Sequence, residues 1–71
     1  MTQCEIILKH LQEEGSITAA EAMSDYGIMR LASRISDLKQ DGVKIRRRMV
    51  KAKTRFGEPM AYAEYRLEDE E

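Results

Sequence analysis

Side chains that build metal sites and disulfides are scarce in this sequence. Cys4 is the only cysteine and His10 the only histidine. A single cysteine excludes an internal disulfide and offers a metal no second sulfur ligand, and no second imidazole or acidic cluster stands at ligand spacing from His10. The sequence therefore predicts no metal site and no cofactor. We interpret His10 as an ordinary surface histidine.

The sequence also lacks the groups that an enzyme needs. It has no Gly-rich phosphate-binding loop and no nucleophile with a plausible base, since its serines have only His10 as a partner. A chain of 71 residues buries only about 60% of its surface on folding, so few residues can be spared from the core. We expect one domain that is not an enzyme, and the sequence indicates no small-molecule ligand.

Long hydrophobic runs are missing as well. No segment approaches the roughly 20 apolar residues that cross a membrane, and the N-terminus shows no basic segment followed by an apolar run. We therefore expect no membrane partner. Together with the lone cysteine, this predicts a cytoplasmic location.

A net charge of −1 argues against a polyanionic partner, but the charges are unevenly distributed. Residues 30–55 hold ten Lys and Arg against two Asp, which is a local charge of +8. The flanking residues 1–29 and 56–71 carry −4 and −5. A polyanion responds to the charge within a Debye length of about 8 Å, so the middle third can attract one despite the total.

Residues 18–42 read as two helices joined by a tight turn. Thr18 and Glu21 form a capping box, at which a helix begins. Gly27 supplies the left-handed backbone conformation that ends this helix and lets a second one follow. Each segment has an apolar stripe at helical spacing. The first consists of Ala19, Ala22, Met23 and Tyr26, and the second of Ile28, Leu31, Ile35 and Leu38. Gly42 ends the second segment. The pattern predicts a helix-turn-helix, and a helical hairpin that packs a small core explains it equally well.

The segment before this pair predicts another helix, from about Gln3 to Glu14. Its buried stripe consists of Cys4, Ile7, Leu8 and Leu11. Ile6 lies off the stripe and needs cover from water or a partner. Ile17 either packs as a staple residue before the next helix or adds a bridge to a small sheet.

After Gly42 apolar and polar residues alternate, which is typical of strands. The pattern predicts one strand over residues 43–53, a turn over residues 55–59 and a second strand beyond it. Such a β-hairpin is marginal alone, so it should pack on the helices through Val43, Ile45, Tyr65 and Leu67. We place the domain at residues 1–67 and a frayed acidic tail at residues 68–71.

Three helices followed by a hairpin are the element order of an α+β winged helix-turn-helix domain. The segments SITAAEA and YGIMRLASRISDLKQDG resemble the small winged helix-turn-helix proteins of bacteriophages and prophages, and the similarity covers residues 6–45 well and the hairpin more loosely. The resemblance implies duplex DNA binding, with the third helix in the major groove and the wing along the backbone. We predict a transcriptional regulator or an accessory factor in phage excision or replication, located in the bacterial host cytoplasm or its nucleoid.

Helix geometry selects residues for base recognition. When the apolar stripe of the third helix points inward, its outward face carries Ser33, Ser36 and Gln40, with Arg30 at its flank. Arg, Gln and Ser side chains pair with base edges in the major groove. The candidates for base readout are therefore Arg30, Ser33, Ser36 and Gln40.

Two charged residues of this helix have more than one interpretation. Arg34 lies beside the apolar stripe, where it either reaches a phosphate or covers the core edge and pairs with an acid such as Glu21 or Asp41. We keep it among the DNA-binding candidates. Asp37 either accepts from cytosine or, as we favour, pairs with a nearby Arg and limits non-specific binding.

The predicted wing is rich in cations: Lys44, Arg46, Arg47, Arg48, Lys51, Lys53 and Arg55. One or two would protect an edge strand against aggregation, and seven exceed that need. We predict DNA contacts from Arg46, Arg48, Lys51, Lys53 and Arg55, of which the last three lie nearest the tip, where they suit phosphate or minor-groove contact. Phe56 and Tyr62 either stack or wedge against DNA or, as we favour, close the hairpin.

Two hypotheses for the function follow. The favoured one is a small protein that binds double-stranded DNA and is anchored electrostatically by its wing. The alternative is a winged-helix protein-protein interaction module without DNA binding, which has no need of the +8 segment. A homodimer serves either hypothesis, with Ile6 and the surface of the first helix as the predicted contact.

Overall fold

The computed structural model describes residues 1–68. In chain order it contains helix α1 (Gln3–Glu14), strand β1 (Ser16–Thr18), helices α2 (Ala19–Tyr26) and α3 (Leu31–Gln40), and strands β2 (Ile45–Lys53) and β3 (Pro59–Leu67). The strands form one antiparallel sheet in the order β1-β3-β2. The predicted order of three helices and a hairpin is confirmed. Of the predicted acidic tail, residues 69–71 lie outside the described part of the chain.

Capping boxes start the first two helices. At α2 the Thr18 hydroxyl accepts from the Glu21 N–H at 3.2 Å, and the Glu21 carboxylate accepts from the Thr18 N–H at 2.9 Å, as predicted. At α1 Thr2 and Glu5 repeat this arrangement with the same distances. Hydrogen bonds from the backbone and side chain of Thr2 hold the pKa of Glu5 below its usual value. The two boxes satisfy backbone N–H groups that a helix start leaves without partners.

The turn between α2 and α3 depends on Gly27, whose φ of 69° is the predicted left-handed conformation. The Gly27 N–H donates to the Met23 carbonyl at 2.9 Å and ends the helix. Ile28, the first residue of the predicted second stripe, lies in this turn rather than in α3. It is nevertheless 1% exposed and joins Leu31 in the core, so the turn itself helps to pack the two helices.

The core lies between the helices and one face of the sheet. It contains Ile7, Leu11, Ile17, Ala22, Ile28, Leu31, Ile35, Leu38, Ile45 and Tyr65. The predicted stripe of α3 is confirmed, whereas α2 buries only Ala22 and leaves Ala19, Met23 and Tyr26 exposed. On α1, Cys4, Ile6 and Leu8 are partly buried against this core.

The interpretation of His10 as a surface residue is wrong. His10 is 6% exposed, and its Nδ1 lies 2.7 Å from the Tyr26 hydroxyl, with the two rings edge to face at 5.5 Å. Its Nε2 is buried without a hydrogen-bond partner among residues 1–68. Burial raises the pKa of Tyr26, and the nearby carboxylates of Asp25, Glu13 and Glu14 raise it further. The pair braces α1 against the end of α2.

Ile17 belongs to strand β1, which confirms the predicted bridge to a small sheet. The strand has three residues rather than a single bridging one. Ile17 is fully buried and pairs with Tyr65 of β3. Hairpin strands β2 and β3 pair without interruption from Ile45↔Leu67 to Lys53↔Pro59. Val43 and Leu67 pack against the core, as predicted. Glu68, assigned to the tail from the sequence, donates its N–H to the Lys44 carbonyl at 3.0 Å.

Candidate nucleic-acid interface

Helix α3 presents a short polar face opposite its buried stripe. Ser36 and Gln40 are exposed and Ser33 is half-buried, while Leu31, Ile35 and Leu38 point into the core. Arg30 is exposed at the N-cap position and makes no side-chain capping bond. The four residues predicted for base readout therefore lie on the accessible side of α3 or at its start.

Arg34 occupies a different side of the helix. Its Nη2 lies 3.3 Å from Oδ2 of Asp37, so its acidic partner is Asp37 rather than Glu21 or Asp41. Its Nε is buried without a partner among residues 1–68, and its backbone carbonyl lies 3.9 Å from the Cys4 sulfur of α1. The expectation that Asp37 pairs with a nearby Arg is confirmed. This contact turns the guanidinium toward its own helix, and the pair is half-exposed, so its contribution to stability is small.

The register of the hairpin sorts its cations onto two faces. Alternate residues of a strand point to opposite faces, and directly paired residues point to the same one. The inner face, defined by the buried residues Ile45 and Tyr65, also carries Arg47, Lys51 and Lys53. In β2 and β3 this face bears no carboxylate. Arg47 was not among the predicted contacts, although its spacing of two from Ile45 and of four from Lys51 indicates the shared face.

The outer face of the hairpin contains Arg46, Arg48 and Arg66 together with Glu64. The Arg48 Nη2 donates to Glu64 Oε1 at 3.1 Å, and the Arg66 Nε lies 3.8 Å from the same oxygen. The structure thus separates Arg46 and Arg48 from Lys51 and Lys53, with which the sequence had grouped them. Part of the outer positive charge is balanced by Glu64.

A shallow depression of about 310 Å³ connects the start of α3 to the inner face of the hairpin. Its lining includes Arg30 and Ser33 from the helix and Ala63 and Tyr65 from β3. Ala63 is paired with Met49, which lies between Arg47 and Lys51 on the inner face of β2. The inner-face cations therefore extend from the edge of this depression toward the hairpin tip. The start of α3 and the inner face of the hairpin therefore border one concave surface.

The tip of the hairpin is a tightly hydrogen-bonded turn. The Thr54 hydroxyl accepts from the N–H groups of Phe56 at 3.3 Å and Glu58 at 3.2 Å, and the Thr54 N–H donates to the Glu58 carbonyl at 2.8 Å. Gly57 has a φ of 82°. The expectation that Phe56 closes the hairpin is wrong, because its side chain is 83% exposed and the Arg55 guanidinium lies 5.9 Å from its ring centroid. Tyr62 lies on the outer face, paired with Val50.

Three helices, the second and third joined by a tight turn, and a basic hairpin beside the third define a winged helix-turn-helix protein. The chain belongs to the winged helix-turn-helix domain family, which matches residues 2–70. No curated protein and no solved structure matches it. Domains of this kind are typically DNA-binding and not catalytic.

Within residues 1–68, no group of three or more His, Cys, Asp or Glu is arranged to hold a metal ion. No helix in this part of the chain is both long enough and apolar enough to cross a membrane.

Proposed function

We propose that this protein binds duplex DNA, with α3 in the major groove and the inner face of the hairpin along the phosphate backbone. The observation that carries the proposal is the charge on that inner face. Arg47, Lys51 and Lys53 lie on the side shared with α3, and β2 and β3 place no carboxylate there. Phosphate contacts by Lys and Arg supply most of the affinity for duplex DNA and set the register of the protein on it.

We assign base recognition to residues on the accessible side of α3 and at its start. Arg30 and Ser33 border the depression beside the hairpin, and Ser36 and Gln40 lie farther along the helix. Residues at the start of a recognition helix reach deepest into the groove, so Arg30 and Ser33 are the primary candidates. Arg is the side chain best suited to the O6 and N7 acceptors of guanine.

The remaining predicted contacts have secondary roles in this arrangement. Arg34 is engaged by Asp37, and Arg46 and Arg48 lie on the outer face of the hairpin. We assign Lys51, Lys53 and Arg55 to phosphate contact. The resemblance to phage and prophage proteins favours a transcriptional regulator or an accessory factor in excision or replication, acting in the bacterial cytoplasm. A homodimer reading two half-sites remains a prediction.

The test compares two variants that lose the same charge from different surfaces. One replaces Lys51, Lys53 and Arg55 with alanine, and its matched control replaces Arg46, Arg48 and Arg66 on the outer face. Binding to random-sequence duplex DNA is measured by fluorescence anisotropy over a salt series. The slope of log affinity against log salt falls by about 0.9 for each lost phosphate contact, so about 2.7 is expected for the first variant.

The control variant should change this slope by less than about 0.9, the value for one phosphate contact. Equal losses in the two variants would mean that the faces do not differ and would refute the proposed orientation. If the wild type fails to bind duplex DNA even at low salt, DNA binding itself is refuted. The alternative of a protein-protein interaction module would then be favoured.

A further inference from the structure

Phe56 is the most exposed large hydrophobic side chain of the described residues, at 83%. It lies at the hairpin tip, in a turn whose backbone is held by three hydrogen bonds to Thr54 and one from it. A turn tied in this way fixes the backbone that carries the ring, so little backbone entropy is lost when the ring enters a partner. Single exposed apolar residues are common, so exposure alone does not identify a partner.

The surroundings of the ring identify the partner. Arg55 lies beside it, and Lys51 and Lys53 approach the tip along the inner face of β2. Glu58 is the one acidic residue between β2 and β3. An apolar ring next to several cations fits a partner that is anionic outside and apolar within. The minor groove of duplex DNA has this character, because phosphates flank a stack of base pairs.

The length of the hairpin fits the distance between neighbouring grooves. Glu64 is the residue of β3 nearest the tip that still pairs with β1. Between Glu64 and the tip, β3 has five more residues, all paired with β2. Five residues of a strand extend about 17 Å. A helical turn of DNA is about 34 Å long, so the centres of adjacent major and minor grooves lie about 17 Å apart. With α3 in the major groove, the tip can reach the next minor groove.

We propose that Phe56 is a wedge that enters the minor groove and partly unstacks one base step, so that the protein bends its DNA. The proposal rests on the duplex binding proposed above. Inserted apolar side chains kink DNA by about 20–90°. Pyrimidine–purine steps, TA and CA/TG, unstack most easily and are therefore the expected sites of insertion. Arg55 lies beside the ring and neutralises phosphates that flank the opened minor groove.

The experiment uses a duplex of about 30 base pairs recovered from a random library by binding to the wild-type protein, with a fluorescence donor and acceptor at its ends. Wild type should shorten the end-to-end distance by an amount that corresponds to a kink in the expected range of about 20–90°. Phe56→Leu keeps an apolar wedge and should retain the bend. Phe56→Ala should abolish it, with an affinity loss of about tenfold or less, because the lost contact is offset by the avoided unstacking.

Two further measurements make the result decisive. 2-Aminopurine placed at each pyrimidine–purine step in turn should brighten at one step with wild type and at none with Phe56→Ala. Tyr62→Ala, which removes an aromatic ring from the outer face, should leave the bend intact. Circular dichroism confirms that each variant is folded.

A straight duplex with wild type, or an equal bend with Phe56→Ala, would overturn the wedge and leave duplex binding intact. Failure of wild type to retain any duplex from the library at low salt would overturn both proposals. Loss of all binding in Phe56→Ala would also contradict the wedge, since it would make Phe56 a principal anchor rather than a bending element.

Discussion

Replacing Tyr26 with phenylalanine tests the contact that braces α1 against α2. The change removes only the hydroxyl, which lies 2.7 Å from His10 Nδ1, and keeps the edge-to-face ring contact at 5.5 Å. His10 is 6% exposed, and its Nε2 already lacks a partner among residues 1–68. In the variant, neither ring nitrogen of His10 has a partner from the described chain.

The expected loss of stability follows from the exposure of the two partners. A buried polar group left without its hydrogen bond costs about 1–3 kcal/mol. Tyr26 is itself 41% exposed, so water can approach the vacated position, and we expect the lower half of that range, about 1–2 kcal/mol. For a domain of this size, each kcal/mol lowers Tm by about 4–8 °C. Urea and thermal unfolding at pH 7 measure both quantities.

Tyr62→Phe is the matched control, because it removes the same atom from a residue that is 39% exposed and whose hydroxyl makes no hydrogen bond within the described chain. Its effect should stay within about 0.5 kcal/mol. Equal stability changes in the two variants would refute the inferred role of the His10–Tyr26 contact.

The same pair predicts a difference at alkaline pH. The pKa of Tyr26 is raised above its ordinary value of 10.0, first by burial and then by the carboxylates around it. The folded state therefore holds this proton more tightly than the unfolded state does. The resulting stability is fully present below pH 10 and is lost as the pH rises through the folded pKa. Wild type should lose stability above pH 10 more steeply than Tyr26→Phe, and parallel curves would contradict the shift.

Three other substitutions test the helix starts, the turn and the charge on α3. Thr18→Ala removes the hydroxyl that accepts from the Glu21 N–H and should cost about 1 kcal/mol in urea unfolding, while Thr18→Ser should restore most of it. Apart from its chain neighbours, the Cβ added by Gly27→Ala meets no atom of residues 1–68 within 4 Å, so its cost of about 1–2 kcal/mol comes from the φ of 69° alone. Wild-type stability would refute that reasoning. Asp37→Asn releases Arg34 and removes a negative charge near the proposed DNA surface. It should tighten binding to random duplex DNA and steepen the salt slope by up to about 0.9, whereas unchanged binding would place Asp37 away from DNA.

Short-range signals in the sequence predicted most of the fold. Thr18 with Glu21, Gly27 and the alternation after Gly42 each act within a few residues, so local pattern was sufficient to place α2, the turn and the hairpin. Thr2 and Glu5 show the same capping pattern, and the sequence contained that signal as well. The family assignment then agreed with the element order.

Burial was predicted less well where distant residues provide the cover. His10 is buried because Tyr26, sixteen residues away, closes over it. Ile17 forms a strand only because Tyr65, near the end of β3, lies beside it. On α2, Met23 is 48% exposed although its spacing predicts burial, because only Ala22 of this helix joins the core. No window of local sequence contains these partners.

The sequence by itself determined the three helices, the hairpin and the segregation of positive charge, since helix caps, glycine turns and strand alternation depend on near neighbours. Only the tertiary structure decided which cations act together. The pairing of β2 with β3 and the burial of Ile45 and Tyr65 put Lys51 and Lys53 on the α3 side. The same pairing put Arg48 opposite Glu64 on the other face. Cross-strand register is a long-range property, and the surface proposed to meet DNA depends on it.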